Sequence, residues 1–483
     1  MSVDSRHPAY DRRALQWMRC RDVAGGTDLV KLADLRGGGG RRRYLPMLSG
    51  QTQTEYESYV DRALFYPAVE RTVQGLTGLV LRKPPTVELP DRFRLDLVDL
   101  TLAGQPWESV LLDLLDDVLT VGRVGILVEF PQQNGTRPYW TLYRTEQVVN
   151  WHYGREADVT GAGRLVLDRV VLEESIEEPG TDPFQPRTVL QYRVLELVDG
   201  RYQVSLYRKQ DTAGSGPAVW VMVGEPIIPI RKGRPLDAIP FLAIGPRHVS
   251  LVPDKPPLLD MVDVNLSHYR SAADLEHGRH WTGLPTPWVA GVTPGTELRI
   301  GSSVAWTFQD PNAKAAMLEF SGQGLGALEK ALEHKERLMA ILGARLLEGQ
   351  PMRGETAEAV RLRHAGDAST LTTIVYALEE GLTAAFRWHA WWAGEDDART
   401  VDNTIQVRLN RDFFDEPIDP AVAQTLMQMW QAGGISWETY YYLLQRGEWT
   451  RPGVAAEEER ALIEAQALAL APERPAGTSA ETP

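Results

Sequence analysis

The sequence predicts an α+β chain in which a β-rich block precedes a run of long helices. Three observations carry that reading. Between residues 139 and 244 apolar side chains recur at a period near two, in short runs parted by Gly, Pro and Asp turns. No helical stretch is interleaved there to carry a crossover, so the strands are expected to pair antiparallel. Beyond residue 256 the apolar period lengthens to that of a helix. It holds over residues 258–281, 324–347 and 355–393, spanning roughly 36, 36 and 58 Å of helix. With 483 residues, 43% of them hydrophobic and 24% charged, the chain can bury a sizeable core and fill roughly two to four units. Wholesale disorder is excluded.

Each element follows from local pattern. The Gly run at 37–40, flanked by Arg36 and by Arg41, Arg42 and Arg43, reads as a mobile loop. Residues 54–65 read as a helix. Pro67 suits the first turn of a second helix, which Lys83, Pro84 and Pro85 stop near residue 81. Between 106 and 121, Val110, Leu111, Leu114, Leu115, Val118 and Leu119 make one apolar stripe, with Asp113, Asp116 and Asp117 mostly opposite it and expected in water. Residues 124–130 read as a buried strand. Strand candidates follow at 139–143, 165–172, 189–197, 203–207, 219–223 and 239–244. Pro256 and Pro257 open the first long helix, with Leu258, Val262, Leu266, Tyr269 and Ala273 on one side. A Pro- and Gly-punctuated β segment at 284–320 separates it from the second, which carries Leu325, Leu328, Leu332, Met339, Leu342 and Leu346. A connector at 348–354 leads to the third, with Leu371, Ile374, Leu378, Leu382, Ala385, His389 and Trp392. Then come a strand at 404–409 and three short helices. Asp419 and Pro420 start the first, Gly433 and Gly434 end it, Ser436 caps the second, and the acidic third runs from about 454 to 470. Residues 472–483 are small, polar and Pro-rich and read as a disordered tail.

Composition removes several functions. Lys plus Arg is 51 against 65 Asp plus Glu, a net charge of −14, which is unsuited to gripping duplex DNA by phosphate neutralisation. No apolar run approaches the ~18 residues of a membrane span, and the N-terminal residues lack the apolar core of a secretion signal. The single cysteine, Cys20, excludes an intramolecular disulfide and any Cys-rich zinc site, and fits folding in a reducing cytosol.

Candidate chemistry is sparse. Gly322, Gly324 and Ala327 match a dinucleotide fingerprint, GxGxxA, but no second strand with an acidic end follows, so a loop that opens a helix is the better reading. Asp113, Asp116 and Asp117 fit a solvated face better than a metal site. His277 and His280 share a helix face but lack the glutamate of an HExxH site. His389 lies among Trp388, Trp391 and Trp392 and reads as packing. Cys20 sits beside Arg19 and Arg21, which would lower its pKa, yet nothing marks it as a nucleophile. No GxSxG elbow or Walker A loop is present. The residues predict no enzyme, no cofactor and no metal.

Several strings resemble a family of phage portal type: YLPMLSG at 44–50, FYPAVERTVQGLTG at 65–78, PLLDMVDVNLSHYRSAAD at 257–274, GLPTP at 283–287, LEFSGQGL at 318–325 and LGARLL at 342–347. The resemblance runs from about residue 44 to 470. It implies a tailed-bacteriophage portal protein, a ring of typically about twelve subunits at one capsid vertex through which double-stranded DNA is packaged and ejected. It implies a protomer with a β-rich wing at 1–257, stem helices at 258–281 and 324–347, and a small α/β clip at 282–323 between them. A tunnel loop at 348–354, a long helix crossing the wing with its return at 355–416, a helical crown at 417–471 and the tail at 472–483 complete the layout. Gln350, Met352 and Arg353 would face the DNA channel. Trp288, Glu297, Arg299 and Trp306 would lie on the clip, where the packaging motor and later the adaptor dock. The implied partners are further copies of the chain, double-stranded DNA read without sequence specificity, the terminase large subunit, a head–tail adaptor, and the major capsid or scaffolding protein, with no membrane. The implied location is the virion's portal vertex, and the host cytoplasm during assembly. Twelve copies at −14 each would carry about −168, a surface that repels phosphate and lets DNA slide. Two alternatives stay open: another virion connector protein, or a nucleotide-binding enzyme using the GxGxxA loop.

Overall fold

A computed structural model describes residues 2–32, 44–131, 137–156, 163–180, 182, 184–210, 218–283, 286–291, 306, 308, 311–318, 322, 324–347, 369–399, 404–413, 420–446, 449–451 and 454–470. The chain divides into two units, Met1–Thr77 with Glu88–Gln406, and Gly78–Val87 with Val407–Pro483. The fold is mixed α and β, and the strand pairs of the larger unit are antiparallel.

The larger unit opens with α1 (Pro8–Ala24) and α2 (Gly26–Leu32), then α3 (Gln53–Arg62) and α4 (Ala68–Val80). Pro8 sits in the first turn of α1, and the His7 ring accepts the Ala9 N–H at 3.1 Å while stacking on Trp151 at 4.0 Å. Thr52 and Glu55 form a capping box on α3. Helix α5 (Trp107–Val121) buries its predicted stripe completely. It ends at Gly122, whose left-handed backbone (φ 79°) packs so near Pro256 that a Cβ would lie 3.3 Å from its Cα.

The β block forms two sheets. Strand β11 (Phe241–Ile244) pairs with β2 (Val124–Glu129), which pairs with β3 (Tyr139–Arg144). The second sheet is a meander of β4 (Val148–Glu156), β5 (Arg164–Glu178), β6 (Arg187–Val198), β7 (Arg201–Gln210) and β8 (Val219–Met222). Strand β4 was not among the predicted strands. Strand β5 runs well past the predicted 165–172, because its charged outer half (Glu173–Glu178) is still paired to β6. The strands between, β9 (Ile230–Arg231) and β10 (Arg234–Pro235), make a small ribbon. An ion network ties the sheets together: Arg193 of β6 reaches Glu129 of β2 and Glu174 of β5, each at 2.8 Å, and the Tyr143 hydroxyl donates to Glu174 at 2.6 Å. Burial pushes the Glu129 carboxyl above the ordinary carboxylate value, and Arg193 pulls it back.

Helix α8 (Thr370–Trp392) covers the three-stranded sheet. Its whole predicted stripe is buried, Gly381 lets Ile244 approach, and the Trp392 indole donates to the Val128 carbonyl at 3.0 Å. Residues 355–368, in the predicted first half of this helix, lie outside the described residues, as do residues 348–354 of the predicted connector.

At the centre is Arg123, fully buried and in no direct ion pair among the described residues, with Glu146 acting on it only at longer range. Nε donates to Thr145 Oγ1 at 2.8 Å, Nη1 to the Leu251 carbonyl at 2.5 Å, and Nη2 to the Thr145 and Val148 carbonyls at 2.8 and 3.2 Å. Trp17 and Trp151 supply aromatic faces 5.3 and 4.9 Å from the guanidinium carbon. Burial lowers its pKa to about 9, which leaves it charged at neutral pH.

In the smaller unit β1 (Thr86–Glu88) pairs with β14 (Gln406–Arg408), and Asn410 Nδ2 donates to the Leu79 carbonyl at 2.8 Å. Its helices are α9 (Pro420–Gln431), α10 (Trp437–Arg446) and α11 (Ala456–Leu470). Ser436 caps α10 as predicted, accepting the Thr439 N–H at 3.1 Å. Trp430 stacks on Tyr440 at 5.2 Å, and the Trp437 indole donates to the Ala456 carbonyl at 2.9 Å.

Replacing Arg123 with Met should remove a donor from each of three carbonyls and the Thr145 hydroxyl, and destabilise the larger unit by roughly 2–4 kcal/mol, read as a lower calorimetric melting temperature. An unchanged melting temperature would show that the arginine organises nothing.

Candidate functional site

The longest helix described, α6 (Leu259–Gly283), is held on several sides at once. Toward the body, Asp263 pairs with Arg19 at 3.1 Å, Asn265 Nδ2 donates to the Tyr66 carbonyl at 2.9 Å, and Asp274 accepts the Tyr59 hydroxyl at 2.6 Å. The predicted stripe of Leu258, Val262, Leu266, Tyr269 and Ala273 is buried. Past residue 275 burial ends, and Arg279, Trp281 and Gly283 are exposed.

On its other side runs α7 (Leu325–Ala344). Lys335 Nζ donates to the Ser267 carbonyl at 3.0 Å and to Ser271 Oγ at 2.6 Å, and Arg279 Nη2 donates to Glu329 Oε1 at 2.8 Å. Gly278 meets Leu325 so closely that a Cβ would lie 2.6 Å from its Cδ2. Partners late in α6 are early in α7, so the helices are antiparallel. Between them β12 (Thr286–Ala290) and β13 (Lys314–Leu318) form an antiparallel hairpin with Trp288 opposite Ala316. Within the predicted α/β clip, this hairpin is the regular structure described beyond the end of α6. GxGxxA follows this hairpin strand and opens α7: Gly322 is left-handed (φ 63°), and β13 pairs only with β12 among the described residues, so no parallel βαβ unit surrounds it.

The outer side of α7 is bare. Lys330, His334, Arg337 and Arg345 lie exposed at helical spacing, and Lys330 and Arg345 make no ion pair among the described residues. Of the acidic residues, Glu329 and Glu336 are engaged with α6, and Glu333 lies exposed among these cations, one turn from Lys330 and from Arg337. The sequence reading counted charge over the whole chain and missed this basic stripe, although its spacing is visible in EKALEHKER.

Among the predicted site residues, Trp288 is 42% exposed on β12 and Trp306 is half-buried. Glu297, Arg299, Gln350, Met352 and Arg353 lie outside the described residues, as do Arg36 and Arg41–Arg43. Two expectations are corrected. Cys20 is not activated by Arg19 and Arg21: it is buried, and burial pushes its thiol up to about 12. The three aspartates make a solvated face only in part: Asp113 and Asp116 are exposed, Asp116 also accepting the Thr77 hydroxyl at 3.2 Å, whereas Asp117, whose side chain is 13% exposed, pairs with Arg21 of α1. His389 is buried beside Trp388 and Trp392 and faces Asp96 at 3.0 Å, so packing describes it well. Among the described residues no group of three or more His, Cys, Asp or Glu could hold a metal, and no helix is long and apolar enough to cross a membrane.

Residues 257–393, from the start of α6 to the end of α8, match the family model described as a domain of unknown function, DUF4055. No curated protein matches the chain. Similar solved structures include a chain from the neck of an empty GTA particle, 16% identical with a TM-score of 0.37, covering 87% of this chain and 99% of that one. A chain from the virion of a native gene transfer agent (GTA) particle is 15% identical with a TM-score of 0.37, covering 87% and 99%. A chain from the neck of a native GTA particle is 15% identical with a TM-score of 0.34, covering 86% and 99%. Superposition at this level does not establish a common fold.

The α6–α7 contact carries a titratable group. His268 of α6 is 4% exposed, with Nε2 3.3 Å from Glu336 Oε1 and with Nδ1 buried and unpartnered. Burial lowers its pKa, Lys335 adds to that, and Glu336 opposes both only in part. The unfolded imidazole therefore takes up its proton first as pH falls through about 6.5, and stability is lost toward acid. The melting temperature should drop between pH 7.5 and 5.5, and drop less in His268→Gln; parallel pH profiles would contradict this.

Proposed function

We propose that the chain is a portal-type subunit. About twelve copies close a ring at one capsid vertex, and double-stranded DNA is packaged and ejected through its channel. The observation that carries the reading is the antiparallel α6–α7 pair, rooted in the body at one end, joined by the β12–β13 hairpin at the other, and followed by the buried helix α8. That order is the stem, clip, stem and wing-crossing helix that the sequence resemblance implies. The family match at 257–393 covers the same run of elements.

Charge supports a conduit over a clamp. A subunit of −14 repels phosphate over most of its surface, and the exposed Lys330, Arg337 and Arg345 offer a few scattered contacts without a tight grip. In this reading Gln350, Met352 and Arg353 line the tunnel, and the hairpin with Trp288, Trp306, Glu297 and Arg299 meets the packaging motor and then the head–tail adaptor. The ring is a structural part of the virion and carries no catalytic site or cofactor.

Replacing Arg353 with Glu should leave the rings intact and reduce the fraction of DNA-filled particles severalfold, counted by electron microscopy. Normal filling in that variant would remove the tunnel assignment.

A further inference from the structure

Where α6 leaves the body, its exposed end and the start of α3 enclose an open cleft of about 520 Å³. We propose that this cleft binds an oxyanion, the carboxylate or phosphate group of a ligand, through Arg62, His277 and Gln51. The conduit reading assigns nothing to this cleft and the inference does not depend on it.

The argument rests on three buried hydrogen-bond donors, each without a partner, on residues that line this one cleft. His277 Nε2 accepts the Trp281 indole N–H at 3.0 Å. A neutral imidazole carries one proton, so that bond places it on Nδ1, which is buried and unpartnered. Gln51 Oε1 accepts the Leu48 N–H at 3.0 Å, which orients the amide and leaves Nε2 as a second buried donor without a partner. Arg62 Nε is the third, and its guanidinium makes no ion pair among the described residues. All three residues line the cleft, together with the hydroxyl-bearing Thr54 and Ser58.

The one carboxylate among the lining residues, Glu55, is engaged through one of its two oxygens. Glu55 Oε2 accepts the Thr52 N–H at 2.7 Å and the Thr52 hydroxyl at 3.0 Å, as the α3 capping box requires. What remains is donor-rich: a guanidinium, an imidazole N–H, an amide NH₂ and two hydroxyls. Leaving buried donors unsatisfied is costly, and a ligand rich in acceptors removes that cost. A cation would meet the Arg62 guanidinium, with only Glu55 Oε1 and hydroxyl oxygens to set against it. An oxyanion matches every free group, and the guanidinium gives it a charge-assisted bond. The paired histidines of His277-x-x-His280 thereby gain a role other than metal binding.

The test is thermal unfolding of the full-length protein titrated with sodium phosphate or sodium acetate, with ionic strength held constant by sodium chloride. Phosphate also stabilises proteins by exclusion from their surfaces, an effect that does not saturate and is common to all variants. Binding instead gives a saturating rise in melting temperature. The expected result is a saturating rise in the wild type that is lost in both Arg62→Gln, which removes the charge, and Ser58→Trp, which fills the cleft. A response to phosphate alone identifies a phosphoryl group, a response to acetate alone a carboxylate, and a response to both an oxyanion of either kind. No rise with either probe, a linear rise equal in all three proteins, or a saturating rise that survives both substitutions overturns the proposal.

Discussion

The buried guanidinium of Arg123 is the constraint around which the larger unit is arranged. A charge taken out of water needs compensation, and here it comes from one hydroxyl, three carbonyls and two indole faces, with Glu146 acting only from a distance. Those groups come from four separate parts of the chain: α1, the turn before β4, β4 itself and the segment leading to α6. Satisfying one side chain therefore sets the positions of all four. Leu251 is among them, and from there the chain passes Gly122 and enters α6, so the root of the long helix is anchored to the same core.

From that root the energetics change character along α6. Its first turns are buried among Arg19, Tyr59, Tyr66 and α7, while its last turns are exposed and held mainly by Gly278 against Leu325 and the Arg279–Glu329 pair. Exposed ion pairs contribute little, so this end is the less strongly held part of the pair. A two-stranded hairpin at its tip is marginal in isolation. Closing a ring of such subunits would give both features neighbours, which is how an assembly supplies what the single chain lacks.

Much of this was legible in the sequence, and the misses have physical causes. The stripes of α5, α6 and α8 were read residue by residue, because each buries one continuous apolar face and periodicity reports that directly. Helix α1 was missed. Pro8, Tyr10, Trp17, Cys20 and Val23 mark it at helical spacing, but they are diluted by arginines that pair across to Asp117, Glu146 and Asp263. The same pairing takes Asp117 out of the solvated face expected for the aspartates of α5: a carboxylate's partner 96 residues away leaves no local trace. The donors of the cleft were hidden for another reason. His277 was visible as half of a histidine pair, whereas its convergence with Gln51 and Arg62 exists only after α3 and α6 are brought together.

The account's central claim is that the chain builds a ring, and native mass spectrometry of the purified protein tests it most directly. At 53.9 kDa per chain, a closed assembly of about twelve copies near 650 kDa, with a central hole in negative-stain images, is the predicted result. A species that remains monomeric or dimeric at every concentration, and in the presence of the capsid and scaffolding proteins, would contradict it.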